Sequence, residues 1–432
     1  MYRNHEEETM NTKILLPVTL LATLSPSSGV ALGQQAAAPA VSYQTTNLGD
    51  PLGGTFATAQ TLSLEGFVAG YSTLPGDATL HVVLWDSNGT KDLGTFGGPS
   101  SVLYSNLSGF SETATADPLG QDFCGTHTRL VCSAFTLVDQ KEVALPTLGG
   151  ASATAYNNNG LGQVVGVSLT TAHDPSCLSG GQPQPPYYDI QQALPAVWEN
   201  GKVSTLPLPA GDSNGSAYAN NDVGQIVGTS GDCVSNPNAR ALLWQNGQIT
   251  NLGSLGGSSF NQPAAINDVG QITGGSDLSG DKTQHAFLWQ KGVMTDLGTL
   301  SGDFFSFGTS INNLGQIVGF SCDINYNCRA FLWQNGSMVD LNTLNHSGSS
   351  LFLNDAETID DLGIIAGYAS DQTSPAALAF VAIPRFGGAA QAPLTEAVPR
   401  VAMPDSLRTL VQQKIRTRGA RRIGPAFGDS QK

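Results

Sequence analysis

The chain has 432 residues, 51 of them glycine, and only 12% are charged, against about 25% in an average soluble protein. Low charge with abundant Gly, Ser, Thr, Asn and Gln excludes a coiled-coil or largely helical protein, because helices draw on Glu, Lys, Arg and Ala. A hydrophobic share of 40% is enough for a core and argues against wholesale disorder, and a net charge of −15 argues against a nucleic-acid-binding body.

The chain opens with a segment read as a targeting signal. Ile14 to Leu24 is an eleven-residue apolar run, preceded by Lys13 and followed by small residues with cleavage sites near Gly33 or within Ala36 to Ala40. The run is shorter than the ~20 residues that span a bilayer and matches a signal-peptide core. Glu6, Glu7 and Glu8 do not suit a basic leader, so translation is expected to start at Met10. Residues 1–40 are therefore assigned to a signal peptide and spacer, and the protein to the extracellular space or cell surface.

Residues 41–384 are organised by a repeat. Its clearest copy is Asn267-Asp268-Val269-Gly270-Gln271-Ile272, followed by His285-Ala286-Phe287-Leu288-Trp289 and Asp296-Leu297-Gly298-Thr299-Leu300. Close copies open at Asn159, Asn221 and Asn312, weaker ones near Gly66, near Asn106 to Gly109, and at Asp360. Each unit reads as four short strands. The first enters the Asn-x-x-Gly turn, the second is Gln-Ile-Val-Gly, the third Ala-Phe-Leu-Trp, and the fourth Asp-Leu-Gly-Thr-Leu. In the third strand Phe287 and Trp289 point to one face and Ala286 and Leu288 to the other, as in a sheet packed between two others. Asn200-Gly201, Asn246-Gly247 and Asn335-Gly336 are hairpin signals between strands three and four.

Four strands in about 45 residues, seven times over, predict an all-β, seven-bladed β-propeller of four-stranded blades. Thr45-Thr46-Asn47-Leu48-Gly49 stands alone as a fourth strand, and the last unit ends at Pro384 without one. The N-terminal strand is therefore expected to close the ring. An open β-solenoid is the competing architecture. The repeat stretch with its His285-Ala286-Phe287 resembles the HAF-repeat family of bacterial extracellular proteins. That resemblance covers roughly residues 45–384 and implies secretion and a propeller-like array, with no established activity.

The position before Ala-Phe is His285 in one unit, Arg240 and Arg329 in others, and less securely His81. Such variation suits the first residue of a strand better than a ring of catalytic histidines. The six cysteines, Cys124, Cys132, Cys177, Cys233, Cys322 and Cys328, fall between strands two and three of their units. In an exported chain they suggest disulfides, with Cys124–Cys132 and Cys322–Cys328 as local staples and Cys177–Cys233 between adjacent blades. The insertion at 169–193 adds Tyr187, Tyr188 and Asp189, a platform suited to a sugar or protein partner. With Arg240, His285 and Arg329 these are the candidate binding residues. Variable surface decoration is the plainer reading of the same loop.

Other motifs fail in context. Gly211-Asp212-Ser213-Asn214-Gly215 fits a nucleophile elbow in letters, but it links two repeat units with no helix after it. Cys124-x-x-His127 plus Cys132 lacks a fourth zinc ligand. Asp222, Asp268, Asp360 and Asp361 fit turn chemistry better than calcium loops, which need six or more oxygens. No unit stands out by a cluster of acids on inward positions, so a binding or scaffold module is expected, with no metal, no cofactor and no catalytic residue assigned. The rival is an extracellular enzyme cleaving polysaccharide as a glycoside hydrolase or lyase. Its partner would be an extracellular glycan or protein, and no transmembrane helix is expected.

The last segment, 385–432, carries 9 basic and 3 acidic side chains, against 8 basic and 28 acidic over 41–384. Within it Leu407, Leu410, Val411 and Ile415 fall at helical spacing between Pro404 and Gly419. This tail reads either as a mostly disordered, solvated extension or as a short basic amphipathic helix for an anionic surface, lipid or the acidic body itself.

Overall fold

The computed structural model describes residues 41–385 apart from 64–65, 96, 106, 117–122, 124–129, 175–177, 180–181, 184–190, 233–239, 346–348 and 372–375. The signal-peptide and tail assignments lie outside the described residues. Seven four-stranded antiparallel sheets stand around an axis as a seven-bladed β-propeller. In chain order they run from Ala57–Leu62 to Gly89–Gly94, Ser101–Leu103 to Lys141–Ala144, Gly149–Asn158 to Lys202–Thr205, and Asn214–Asn220 to Gln248–Asn251. They continue from Gly256–Ile266 to Val293–Gly298 and from Phe305–Ile311 to Ser337–Asp340, and close with Leu351–Ile359, Ile365–Asp371 and Ala377–Arg385. These are blades 1 to 7. The strand Ser42–Gly49 pairs antiparallel with Ala377–Arg385 and completes blade 7. The ring is thereby closed by the N-terminal strand, and blade 7 has no unpaired third-strand edge.

Within a blade the first strand is innermost and the fourth outermost. First strands of successive blades adjoin one another about the axis. In blade 4 every residue of the first strand, Asn214–Asn220, is buried, whereas the fourth, Gln248–Asn251, is largely exposed. The alternation expected for the third strand holds. Phe287 and Trp289 pack with Val227 and Leu243 of blade 4, and Ala286 packs with Ile311 and Phe331 of blade 6. The indole N–H of Trp198 donates to the Pro146 carbonyl at 2.6 Å and that of Trp244 to Pro207 at 2.7 Å, so each Trp also anchors the link from the preceding blade. The Asn-Gly hairpins have φ of 52° and 75° at Asn200-Gly201, with the same pattern at 246–247 and 335–336. Two successive positive φ values make the type I′ turn that suits twisted strands.

Blade 2 departs from the repeat. Gly109 is not its turn glycine. It pairs with Leu103, as Gly166 pairs with Ala155 in blade 3, and so belongs to the second strand. The positive-φ turn position is filled by Leu107, at φ 66°. The Gly66-to-Gly109 spacing therefore mixes two positions of the repeat.

Candidate functional site

The second glycine of Gly-Gln-Ile-Val-Gly explains how the axis is lined. It appears once per blade, as Gly70, Gly109, Gly166, Gly228, Gly274, Gly319 and Gly367. A Cβ at any of these would lie 1.9 to 2.1 Å from a first-strand carbonyl oxygen, so only glycine lets the first strand approach this closely. Just after the residue paired with that glycine, the first strand bulges in every blade but the second. A bulge re-aims a side chain. The residues at this position are Gln60, Tyr104, Tyr156, Tyr218, Ala264, Thr309 and Glu357, one per blade.

Five of the seven, Gln60, Tyr104, Ala264, Thr309 and Glu357, line a chamber on the axis together with Ser105, Gln262 and Phe307. Tyr156 continues the ring, its centroid 5.2 Å from that of Tyr104 and 5.3 Å from that of Tyr218. One side of the axis is thus aromatic and the other polar. The Oε1 of Gln262 is buried without a hydrogen-bond partner, which suits a wet chamber. Its volume is about 40 Å³, room for roughly three waters at ~10–15 Å³ each. Small-molecule pockets run on the order of 300–1,000 Å³, so a sugar ring does not fit.

Blade 7 breaks the pattern, which corrects the expectation of evenly built units. Its first strand carries Asp355 and Glu357, 2% and 5% exposed, where blade 3 has Thr154 and Tyr156 and blade 6 has Phe307 and Thr309. Asp355 pairs across the sheet with Tyr368. Burial drives the Tyr368 hydroxyl well above its ordinary pKa, and the Asp355 charge and nearby Tyr71 add to the shift. The sequence signal was available: the residue three before the turn Asn is Tyr, Ala or Thr in the clear units and Glu in the last.

The residues before Ala-Phe prove to be tethered. His285 Nδ1 lies 2.9 Å from Asp296 and His81 Nδ1 3.0 Å from Asp92, each within one blade. Arg240 pairs with Asp212, which sits in the Gly-x-Ser-x-Gly stretch and also accepts from Ser230. Arg329, 8% exposed at its side chain, bridges Asp303 at 2.8 Å and Asp340 at 3.0 Å. These four act as blade fasteners, and the structure does not gather them into one site.

The turn aspartates also have structural work. The Nδ2 of each turn Asn donates to the carbonyl of the next blade's turn, from Asn159 to Asn221, Asn267, Asn312 and Asp360, at 2.9 Å every time. Beside this ladder, the N–H groups of Gly160, Asp222, Asp268 and Asn313 donate to the side chains of Asp222, Asp268, Asn313 and Asp361 at 2.7 to 3.0 Å. Among the described residues no group of three or more His, Cys, Asp or Glu could hold a metal. Cys322 and Cys328 form a disulfide at the ends of strands two and three of blade 6. Cys132 is also disulfide-bonded and lies within the third strand of blade 2 rather than in a loop. Cys124, Cys177, Cys233, Tyr187, Tyr188 and Asp189 lie outside the described residues.

No known family and no curated protein matches this chain. Solved structures match its fold. The β-propeller domain of the Trilobed protease from Pyrococcus furiosus is 11% identical, with a TM-score of 0.44 over 66% of this chain and 81% of that one. An acylaminoacyl peptidase from Pyrococcus horikoshii is 11% identical at TM-score 0.49, over 79% of this chain but only 53% of its own length. An oligogalacturonate lyase from Vibrio parahaemolyticus is 11% identical at TM-score 0.46, over 80% of this chain and 98% of that one. At such identities the likeness is one of fold alone. Among the described residues no helix is long and apolar enough to cross a membrane.

Proposed function

We propose that the chain is a secreted, non-catalytic binding or scaffold module that meets an extracellular glycan or protein on the face of its strand two-to-three loops. The observation that carries this is the commitment of its polar residues. His81, His285, Arg240 and Arg329 are each held by aspartates of the propeller, and the axial chamber admits only waters. In this reading a glycan or protein is met on the loop face. The loop closed by Cys322–Cys328 is held firmly there and exposes Ile324 at 68%. Disulfides, the apolar leader and the likeness to HAF-repeat proteins support export. A thermal-shift screen of the oxidised protein against extracellular polysaccharides tests the reading, because a ligand of the folded state raises its melting point. A shift lost on deletion of 180–190 supports the loop face. Conversion of the glycan to product overturns a non-catalytic role.

A second reading rests on blade 7. Two buried carboxylates on one inner strand, Asp355 and Glu357, are the local departure from the repeat that an enzyme site produces. In that reading the protein is an extracellular enzyme that acts on polysaccharide, with these carboxylates in its site. Product formation abolished by Glu357→Gln with unchanged glycan binding would establish it.

A further inference from the structure

The turns between strands one and two carry a feature that the ladder does not need. Two residues after each turn Asn or Asp stands an aliphatic residue open to solvent: Leu161 at 76% exposure, Val223 at 58%, Val269 at 64%, Leu314 at 72% and Leu362 at 68%. Blades 3 to 7 are consecutive, and the ladder ties their turns side by side. The five side chains therefore stand in a row of exposed aliphatics around the axis on one face of the propeller, one per turn. Single exposed aliphatics are ordinary, but a contiguous patch marks an interaction site. Asp222, Asp268 and Asp361 alternate with them, one residue before the aliphatic in each turn. The lysines of this face, Lys141, Lys202 and Lys291, sit on the outer hairpins between strands three and four. Apart from Arg385 at the end of the third strand of blade 7, the arc is thus apolar and acidic.

The same face is where the described chain ends. The third strand of blade 7, Ala377–Arg385, runs toward it. A Cβ on Gly363 would meet Pro384 at 3.6 Å, which places the strand end beside the turn that holds Leu362. The tail beyond has complementary chemistry. It is net +6 by its 9 basic and 3 acidic residues over 385–432, and it sets Leu407, Leu410, Val411 and Ile415 at helical spacing among Arg408, Lys414, Arg416 and Arg418. The residues 386–406 reach as far as about 70 Å when extended, and a helix over 404–418 is roughly 20 Å long. Tethering raises the local concentration of the tail at the arc to about the millimolar range. A second copy would set aspartates against aspartates, and an anionic bilayer would be repelled by the same charges.

We infer that the basic amphipathic segment 404–418 docks on this arc of its own propeller, its apolar side on Val223, Val269, Leu314 and Leu362 and its cations beside the turn aspartates. The test is limited trypsin digestion of the full chain at low and high salt. Cleavage is read at Arg408, Lys414, Arg416 and Arg418, beside Val269→Asp/Leu314→Asp and Leu410→Asp/Ile415→Asp variants. The four substituted positions are exposed tips or lie outside the propeller, so the melting point is the control for folding. A tail docked ten to one is cut about tenfold more slowly than a free one, since cleavage follows the open population. Both variants, and high salt, are expected to restore the fast rate. Equal rates for wild type and both variants would overturn the docking. So would a concentration-dependent dimer in sedimentation velocity that the tip variant abolishes, which assigns the arc to a second copy. Flotation with phosphatidylserine vesicles that needs Leu410 and Ile415 but not Val269 and Leu314, without protection from trypsin, would overturn it in favour of a lipid surface.

Discussion

Replacing the second-strand glycine of a blade with alanine tests how the axis is built. In blade 3, Gly166→Ala would put a Cβ 2.1 Å from the Thr154 carbonyl oxygen and 2.9 Å from the Ala155 Cα. Both are backbone atoms of an inner strand wedged between neighbouring blades, so neither can swing away as a side-chain tip would. Relief requires the two strands to part by roughly 1 Å, which breaks ladder hydrogen bonds and loosens the contact of Tyr156 with Tyr104 and Tyr218. Overpacking of this kind costs typically ~1–3 kcal/mol, and the rigid backbone puts this case at the top of that range, about 3 kcal/mol. The control is Gly162→Ala in the adjoining turn. Gly162 has φ 78°, and an added methyl there would meet nothing within 4 Å, so the change costs only backbone strain, about 1 kcal/mol. Urea denaturation followed by tryptophan fluorescence compares the two. Equal midpoints for Gly166→Ala and Gly162→Ala would refute the close-approach argument.

Asn267→Ala removes a bond from Asn267 Nδ2 to the Asn312 carbonyl, one to Gln271 Oε1, and one accepted from the Gln271 N–H. At about 1 kcal/mol per hydrogen bond the loss is roughly 3 kcal/mol by denaturation, whereas chelator should leave the melting point of the wild type unchanged. Glu142 is half-buried with Oε1 unpartnered, and burial raises its pKa to about 7 from 4.5. The folded state keeps a proton that the unfolded state releases, so stability falls as pH rises through ~4.5 to 7 and stays low above. Glu142→Gln is then expected to gain about 1–2 kcal/mol at pH 8, after discounting for solvent screening, and nothing at pH 4. Arg329→Met removes the cation that bridges the carboxylates of Asp303 and Asp340, both nearly without exposure, and should cost ~3–5 kcal/mol. Arg240→Met, at a side chain 38% exposed, should cost about 1 kcal/mol in the same calorimetric melt.

Architecture was legible because each strand carries its own period-two pattern and each turn its own chemistry. Asn200-Gly201 specifies a type I′ hairpin with no help from distant residues, and the isolated Thr45 to Gly49 stretch could only pair with a blade that lacked a fourth strand. Blade 2 escapes the repeat pattern where local chemistry is weakest. Its turn has Leu107 at positive φ in place of glycine, its carbonyl accepting from the Leu137 N–H and the Thr136 hydroxyl of the same blade's third strand. Ion pairs were invisible for a different reason. Asp212 lies 28 residues before Arg240 and Asp303 26 before Arg329, so only the fold brings them together.

The candidate site follows the same division between local and assembled information. A repeat makes every blade nearly the same, and function must enter where the copies differ. The position three before the turn Asn is tyrosine in blades 3 and 4, small in blades 5 and 6, and glutamate in blade 7. In the linear chain that variation resembles drift at an ordinary strand position. Closing the ring turns it into a gradient across one axis, aromatic at Tyr104, Tyr156 and Tyr218 and acidic at Glu357. Blade 7 is also the blade assembled from both ends of the propeller, with Ser42–Gly49 against Ala377–Arg385. Its inner strand therefore acquires its final surroundings only when the ring closes. Asp355 and Glu357 are 2% and 5% exposed in that strand, so assembling it desolvates two carboxyl groups, a cost that blades 3 to 6 do not carry at the same positions.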